Sequence, residues 1–168
     1  MIKIGNNISS FSVYSCQPTT KEELKEIVNK RIDKEGYDCD LNDIDTSLIK
    51  DMSCLFYGSD FNGDISKWNV SNVINMEDMF HNTVFNGDIS CWDVSNVEDM
   101  RCMFNVSFFN QDISKWNISK VKDMRWMFQD SKFNQDISKW NILNVIKIHD
   151  MFEDCPIREE YKPKALQS

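Results

Sequence analysis

An aspartate returns every 24 residues, at Asp40, Asp64, Asp88, Asp112 and Asp136. Two positions before each stands another acid or amide: Asp38, Asn62, Asn86, Asn110 and Asn134. Carboxylate and amide oxygens are hard-cation ligands, so one chemistry open to these rows is a line of calcium sites. The other is structural, because short polar side chains in turns accept backbone N–H groups that a nearby core would leave unpaired. Carboxylates stacked about 5 Å apart repel unless such donors hold them ionised. The glycine-rich calcium-repeat motif is absent. The pattern favours a hydrogen-bonding ladder, and no metal or other cofactor is expected.

A tryptophan column, Trp68, Trp92, Trp116 and Trp140, offers either a stacking platform or core. Ile44 takes its place in the first, degenerate copy of the repeat. That points inward, with each indole N–H needing an acceptor. Trp126 falls in the variable column of Cys54, Asp78, Cys102 and Asp150 and reads as half exposed. His81 and His149 read as isolated from metal-ligand partners, and no Ser/His/Asp set or phosphate-binding glycine loop is visible. No enzymatic activity is expected. Of the six cysteines, only Cys54 and Cys102 share a column, two repeats apart. Stacking at about 4.8 Å per turn puts them beyond the roughly 7 Å that a disulfide spans. Free thiols are expected, which suits a reducing compartment.

Three outward columns remain for recognition. They comprise Lys67, Cys91, Lys115 and Lys139, then Asn69, Asp93, Asn117 and Asn141, then Ser71, Ser95 and Ser119. Solenoid repeats commonly bind ligands on such a face. The candidate function is a protein partner held there, with catalytic residues absent.

These columns exist because the stretch Phe61–Val84, FNGDISKWNVSNVINMEDMFHNTV, is copied without insertion at Phe85, Phe109 and Phe133. A degenerate copy begins at Tyr37, so residues 37–156 form five 24-residue repeats. In each, Ile65-x-x-Trp68-x-Val70-x-x-Val73 follows a leucine-rich pattern, and the alternation around Asn69 predicts a short strand. Asn75 then caps Met76–Phe80, which predicts one helical or 3-10 turn on the convex side. Methionines beside phenylalanines read as core filler. The fold class is an α/β repeat: a curved, right-handed leucine-rich-repeat solenoid with a parallel sheet and short helical turns.

Residues 1–36 form an N-terminal cap. Thr20 and Glu23 have capping-box spacing, and Leu24, Ile27, Val28 and Ile32 make an apolar stripe. Gly36 stops the helix, predicted over 20–35. Before it, Ile2, Ile4, Gly5-Asn6-Asn7, Phe11, Val13 and Tyr14 suggest a strand or hairpin. Residues 157–168 read as a C-terminal cap or tail.

The chain has 168 residues, 27 acidic against 19 basic, for a net charge of −8. An acidic balance disfavours nucleic acid and anionic membrane surfaces. No stretch approaches the ~18 apolar residues of a membrane span, and neither a signal peptide nor a lipobox is evident, so a cytoplasmic location is expected from the residues alone.

The string F-N-x-D-I-S-x-W-[ND]-[VI]-S-x-V-x-x-M-x-x-M-F resembles the repeat of the BspA-like leucine-rich repeat surface proteins, also described as the mycoplasma-type lipoprotein repeat. The resemblance implies a curved leucine-rich solenoid, a bacterial cell-surface location and protein-binding or adhesive roles. It implies no catalytic residues. Two functions follow as expectations: a protein–protein interaction module using the strand (concave) face, or a scaffold or spacer in an adhesin-like surface protein.

Overall fold

The computed structural model describes residues 14–167. The strand or hairpin expected from Ile2 to Val13 lies outside them. Helix α1, Lys21–Glu35, starts where the sequence placed it. The Thr20 hydroxyl accepts the Glu23 N–H at 3.2 Å, and the Glu23 carboxylate accepts the Thr19 N–H at 2.8 Å. Gly36, at φ 91°, ends the helix. Leu24 and Val28 are buried, and α1 reaches the first coil through polar contacts as well. Lys21 Nζ donates to Ser53 Oγ at 2.8 Å and Lys25 Nζ to the Cys54 carbonyl at 3.3 Å.

The remainder is a stack of 24-residue coils built from turns. In the coil 61–84, Trp68 N–H donates to Ile65 O, Val73 to Val70 and Met79 to Met76, at 3.1, 2.9 and 3.3 Å. Each turn is preceded by a side-chain acceptor. Asp64 Oδ1 takes the Ser66 N–H, Asn69 Oδ1 that of Ser71 and Asn75 Oδ1 that of Glu77, at 2.9, 3.1 and 2.9 Å. The three recur at Asp88, Asp93 and Asp99 in the next coil. The aspartate column is thus the turn-bracing ladder that the spacing favoured.

Two parts of the expected fold are overturned. Among the described residues there is no β-strand, and α1 is the one α-helix, so neither the parallel sheet nor the convex helical turns of a leucine-rich-repeat solenoid exist. Parallel pairing survives as isolated bridges, chiefly Asp51↔Asn75↔Asp99↔Asp123↔Lys147. The cause is the density of Asn and Asp. A side chain that captures an N–H two residues on diverts the backbone from ladder bonding. Spaced five or six residues apart, these turns leave little room for the usual strand of 3–10 residues.

The bridges also lie on the side where helical turns were expected. There Met76, Asp78, Phe80 and Asn82 donate to Asp99, Arg101, Met103 and Asn105 of the next coil, at 2.8–3.0 Å. Left-handed residues interrupt even this alternation. One column, Cys54, Asp78, Cys102, Trp126 and Asp150, has φ of 53–56°, and a second, Asn82, Val106, Asp130 and Asp154, has φ of 52–54°. Gly58 opens the second column at φ 65°. Each member stands third in a four-residue stretch, the place where a turn demands positive φ.

On the Trp68–Val73 side, side chains join the coils. Trp92, Trp116 and Trp140 each donate Nε1–H to the isoleucine carbonyl of the preceding coil, at 3.2–3.3 Å. Trp68 does the same to Leu41 O at 2.9 Å. Asn72, Asn96 and Asn144 donate Nδ2–H to the serine carbonyls of Ser47, Ser71 and Ser119. A third ladder runs along Asn62, Asn86, Asn110 and Asn134, each Oδ1 accepting the N–H of the residue 24 positions on, at 2.8–3.0 Å.

Between the two sides the aromatic core is continuous. Phe56, Phe80, Phe104, Phe128 and Phe152 stack nearly parallel at 5.5–5.8 Å. Phe61, Phe85, Phe109 and Phe133 form a second column at 6.2–6.3 Å. The four tryptophans are buried beside them. Burying each ring contributes about 1.5–3 kcal/mol, and offset ring pairs about 0.5–1.5 more. At the far end, short 3-10 turns at Glu159–Tyr161 and Lys164–Leu166 fold back, and Ile137 N–H donates to Tyr161 O at 3.0 Å.

Candidate functional site

The outward columns share one face, lined by turn residues instead of strands. Lys67, Cys91, Lys115 and Lys139 are exposed, as are Asn69, Asp93, Asn117, Asn141 and Ser119; Ser71 and Ser95 are half-buried. The Asn/Asp column is committed to folding. Asn69, Asp93, Asn117 and Asn141 each accept the N–H two residues on, at 3.1–3.2 Å. The lysines keep their ammonium groups at the surface beside Asp64, Asp112 and Asp136. Those carboxyls sit below the usual range, for Asp64 and Asp112 chiefly through the Ser66 and Ser114 N–H groups. For Asp136 the Ser138 hydroxyl is the main cause, and the lysine in each case adds a smaller pull.

The structure brings the last two lysines together. Asp112, Ser114, Lys115, Gln135, Asp136 and Lys139 line one cleft of about 430 Å³. A neighbouring cleft of about 410 Å³ is formed by Lys139, Trp140, Asn141, Ile142 and Leu143 with Lys164 and Ala165 of the C-terminal turn. Lys67 and Cys91 belong to neither. Leu143 holds the position of Ser71, Ser95 and Ser119 and is 84% exposed. One turn further on, Ile146 is 78% exposed. The sequence reading placed neither residue of this apolar end among the candidate contacts.

The expected isolation of His81 is also corrected. His81 Nδ1 lies 2.8 Å from Asp78 Oδ1, and the Cys102 sulfur of the next coil completes a group whose ligand atoms all fall within 4.8 Å. Among the described residues no other group of three such side chains converges. Burial, then the Asp78 charge, pushes the Cys102 thiol up to about 11. Overlaying the repeats would have found it, since Cys102 is Asp78 plus 24 and His81 is Asp78 plus three. Trp126, expected to be half exposed, is half-buried and engaged within the chain: His149 meets it edge-on at 4.8 Å, and the Arg125 guanidinium lies 5.3 Å from its ring centre. All six cysteines are free thiols. No helix among the described residues is long and apolar enough to cross a membrane.

No curated protein and no solved structure matches the chain. The BspA-like leucine-rich repeat family, expected from the F-N-x-D-I-S-x-W string, is not what the family comparison finds, and the leucine-rich-repeat fold it implied falls with the missing strands. The match found instead covers residues 23–132 and 105–157, well over half of the chain, and on it the protein belongs to the family described as Mycoplasma protein of unknown function, DUF285.

Proposed function

We propose that the chain is a non-enzymatic protein-interaction module whose partner lies along the lysine-bearing face and is anchored at Leu143. The exposure of Leu143 carries this reading. At the corresponding position earlier coils have serine, and a leucine left open beside an apolar-walled cleft marks a contact site better than a scattered surface residue does. The matching partner surface has an apolar side chain for that cleft and carboxylates opposite Lys115 and Lys139. Interface energy concentrates in such apolar anchors, with charged rims governing encounter and selectivity.

Leu143→Ser restores the residue of the other coils and leaves folding intact. Immobilised wild type, Leu143→Ser and the triple variant Lys67→Glu, Lys115→Glu, Lys139→Glu are compared for proteins recovered from a lysate, quantified by mass spectrometry. The same proteins should fall by tenfold or more with Leu143→Ser, as expected for an anchor of about 2 kcal/mol, and also drop with the charge reversal. Equal recovery by all three leaves the stack as a scaffold or spacer.

A further inference from the structure

We propose that Asp78, His81 and Cys102 form a binding site for one divalent cation of the zinc class, bridging two neighbouring coils. The placement follows from the backbone. Asp78 occupies a left-handed turn position at φ 54°, and its N–H donates to Arg101 O at 2.9 Å, which sets the neighbouring Cys102 beside it in the next coil. A second turn follows at once, His81 N–H donating to Asp78 O at 3.2 Å, and it returns the imidazole to the same spot. The ring of Tyr57, 4.8 Å away, covers the imidazole from the preceding coil.

The donors decide the metal. A carboxylate oxygen, an imidazole nitrogen and a sulfur are the ligands of Zn²⁺ and its borderline relatives, whereas Ca²⁺ and Mg²⁺ take oxygen. Bond lengths of about 2.0–2.3 Å imply ligand atoms about 3.3–3.8 Å apart around a tetrahedral ion. The three atoms already lie within 4.8 Å of one another, so small side-chain rotations complete the site. Cys102 is buried at its back, while Asp78 and His81 are only partly covered, which leaves a fourth position facing solvent. Binding displaces the Asp78–His81 hydrogen bond and releases the Cys102 thiol proton to water.

The repeat does not generate this trio by itself. One coil later the corresponding places hold Cys102, Asn105 and Trp126, and one coil earlier Cys54, Tyr57 and Asp78. Neither set brings three ligands together.

The full-length chain, reduced and stripped with EDTA, is titrated with Co²⁺ and then with Zn²⁺. One equivalent of Co²⁺ should produce a thiolate-to-metal charge-transfer band with tetrahedral d–d absorption, and one equivalent of Zn²⁺ should abolish both and raise Tm. Cys102→Ser should remove the charge-transfer band. His81→Gln, at a half-buried surface position that tolerates exchange, should weaken Zn²⁺ by more than about tenfold. Cys16→Ser, remote from the site, should change nothing. The proposal is overturned if wild type gives no such band, if stoichiometry exceeds one, or if His81→Gln binds Zn²⁺ as tightly as wild type.

Discussion

Between Met76 and Asn82 each coil meets the next through backbone hydrogen bonds, whereas between Ile65 and Val73 the same coils meet through tryptophan and asparagine side chains. The two sides consequently tolerate sequence differently. Backbone bonding is indifferent to side-chain identity, and on that side one column runs Cys54, Asp78, Cys102, Trp126, Asp150 and another Tyr57, His81, Asn105, Gln129, Glu153. Side-chain bonding depends on its donor, and there the tryptophan returns at Trp68, Trp92, Trp116 and Trp140, while Lys120 interrupts the asparagine row and donates to Asn96 Oδ1 instead. The variable side is therefore where new chemistry can be installed without loosening the stack, and the Asp78–His81–Cys102 group sits there.

The largest expected effect tests the dependence on tryptophan. Trp92→Ala removes a buried indole and should lower stability by about 3–5 kcal/mol in urea denaturation, the range for core aromatics. Trp92→Phe keeps most of the apolar area but removes the indole donor to the Ile65 carbonyl, which retains the Trp68 N–H, and should cost about 0.5–1.5 kcal/mol. If Trp92→Ala loses less than about 1 kcal/mol, side-chain joining is not what holds that side.

A smaller effect of opposite sign tests the other side. Indifference to side-chain identity holds there only where the backbone permits it, and Val106 is a β-branched residue at φ 52°. Left-handed geometry costs L-residues about 1–2 kcal/mol, least for glycine and asparagine. Val106→Asn, matching Asn82 one coil earlier, should therefore raise Tm, with a gain of about 1 kcal/mol; Asn82→Val should lose a similar amount. A neutral result at both positions would show that the coil relaxes this strain.

Much of this was legible in the residues. The strict 24-residue recurrence of Phe, Trp and Met gave the core columns their inward assignment, and Thr20, Glu23 and Gly36 marked the ends of α1. The strands were not legible, because Trp68-Asn69-Val70 alternates identically in a strand and in a chain that turns on either side of it. Asn69 and Asn75 held the distinguishing information. Each was read as an outward or capping residue, while each in fact captures the N–H two positions on. The left-handed columns were hidden because Cys, Trp and Val interrupt them, which left Gly58 and Asn82 as isolated signals. Among the candidate site residues, outward placement was readable from alternation, but the pairing of Lys115 with Lys139 around one cleft and the exposure of Leu143 depend on how the last coil ends.

The smallest expected effect contrasts one carboxyl from each side, Asp88 and Asp99, by the sign of its pH dependence. On the tryptophan side Asp64, Asp88 and Asp112 hold their carboxyls below the ordinary range, chiefly because a backbone N–H two residues on favours the charged form. A depressed carboxylate contributes stability above its unfolded value of about 3.9, and that contribution is lost as pH falls through the folded value. On the backbone side burial pushes Asp99 up, and the Arg101 N–H offsets this only in part, whereas Asp51 and Asp123 of the same column are held low, against burial, by bonds from Ser53 and Arg125. Ionised Asp99 therefore opposes folding at neutral pH, and protonation on acidification relieves it. Asp88→Asn should reduce stability at pH 7, and by less at pH 3, as pH falls toward the carboxyl's depressed folded value. Asp99→Asn retains the oxygen that accepts from Arg101 and should raise stability at pH 7, with little effect at pH 3. Denaturation midpoints for both variants at the two pH values check this: a gain from both at pH 7 would mean that burial governs both carboxyls, and a loss from both that N–H donation does.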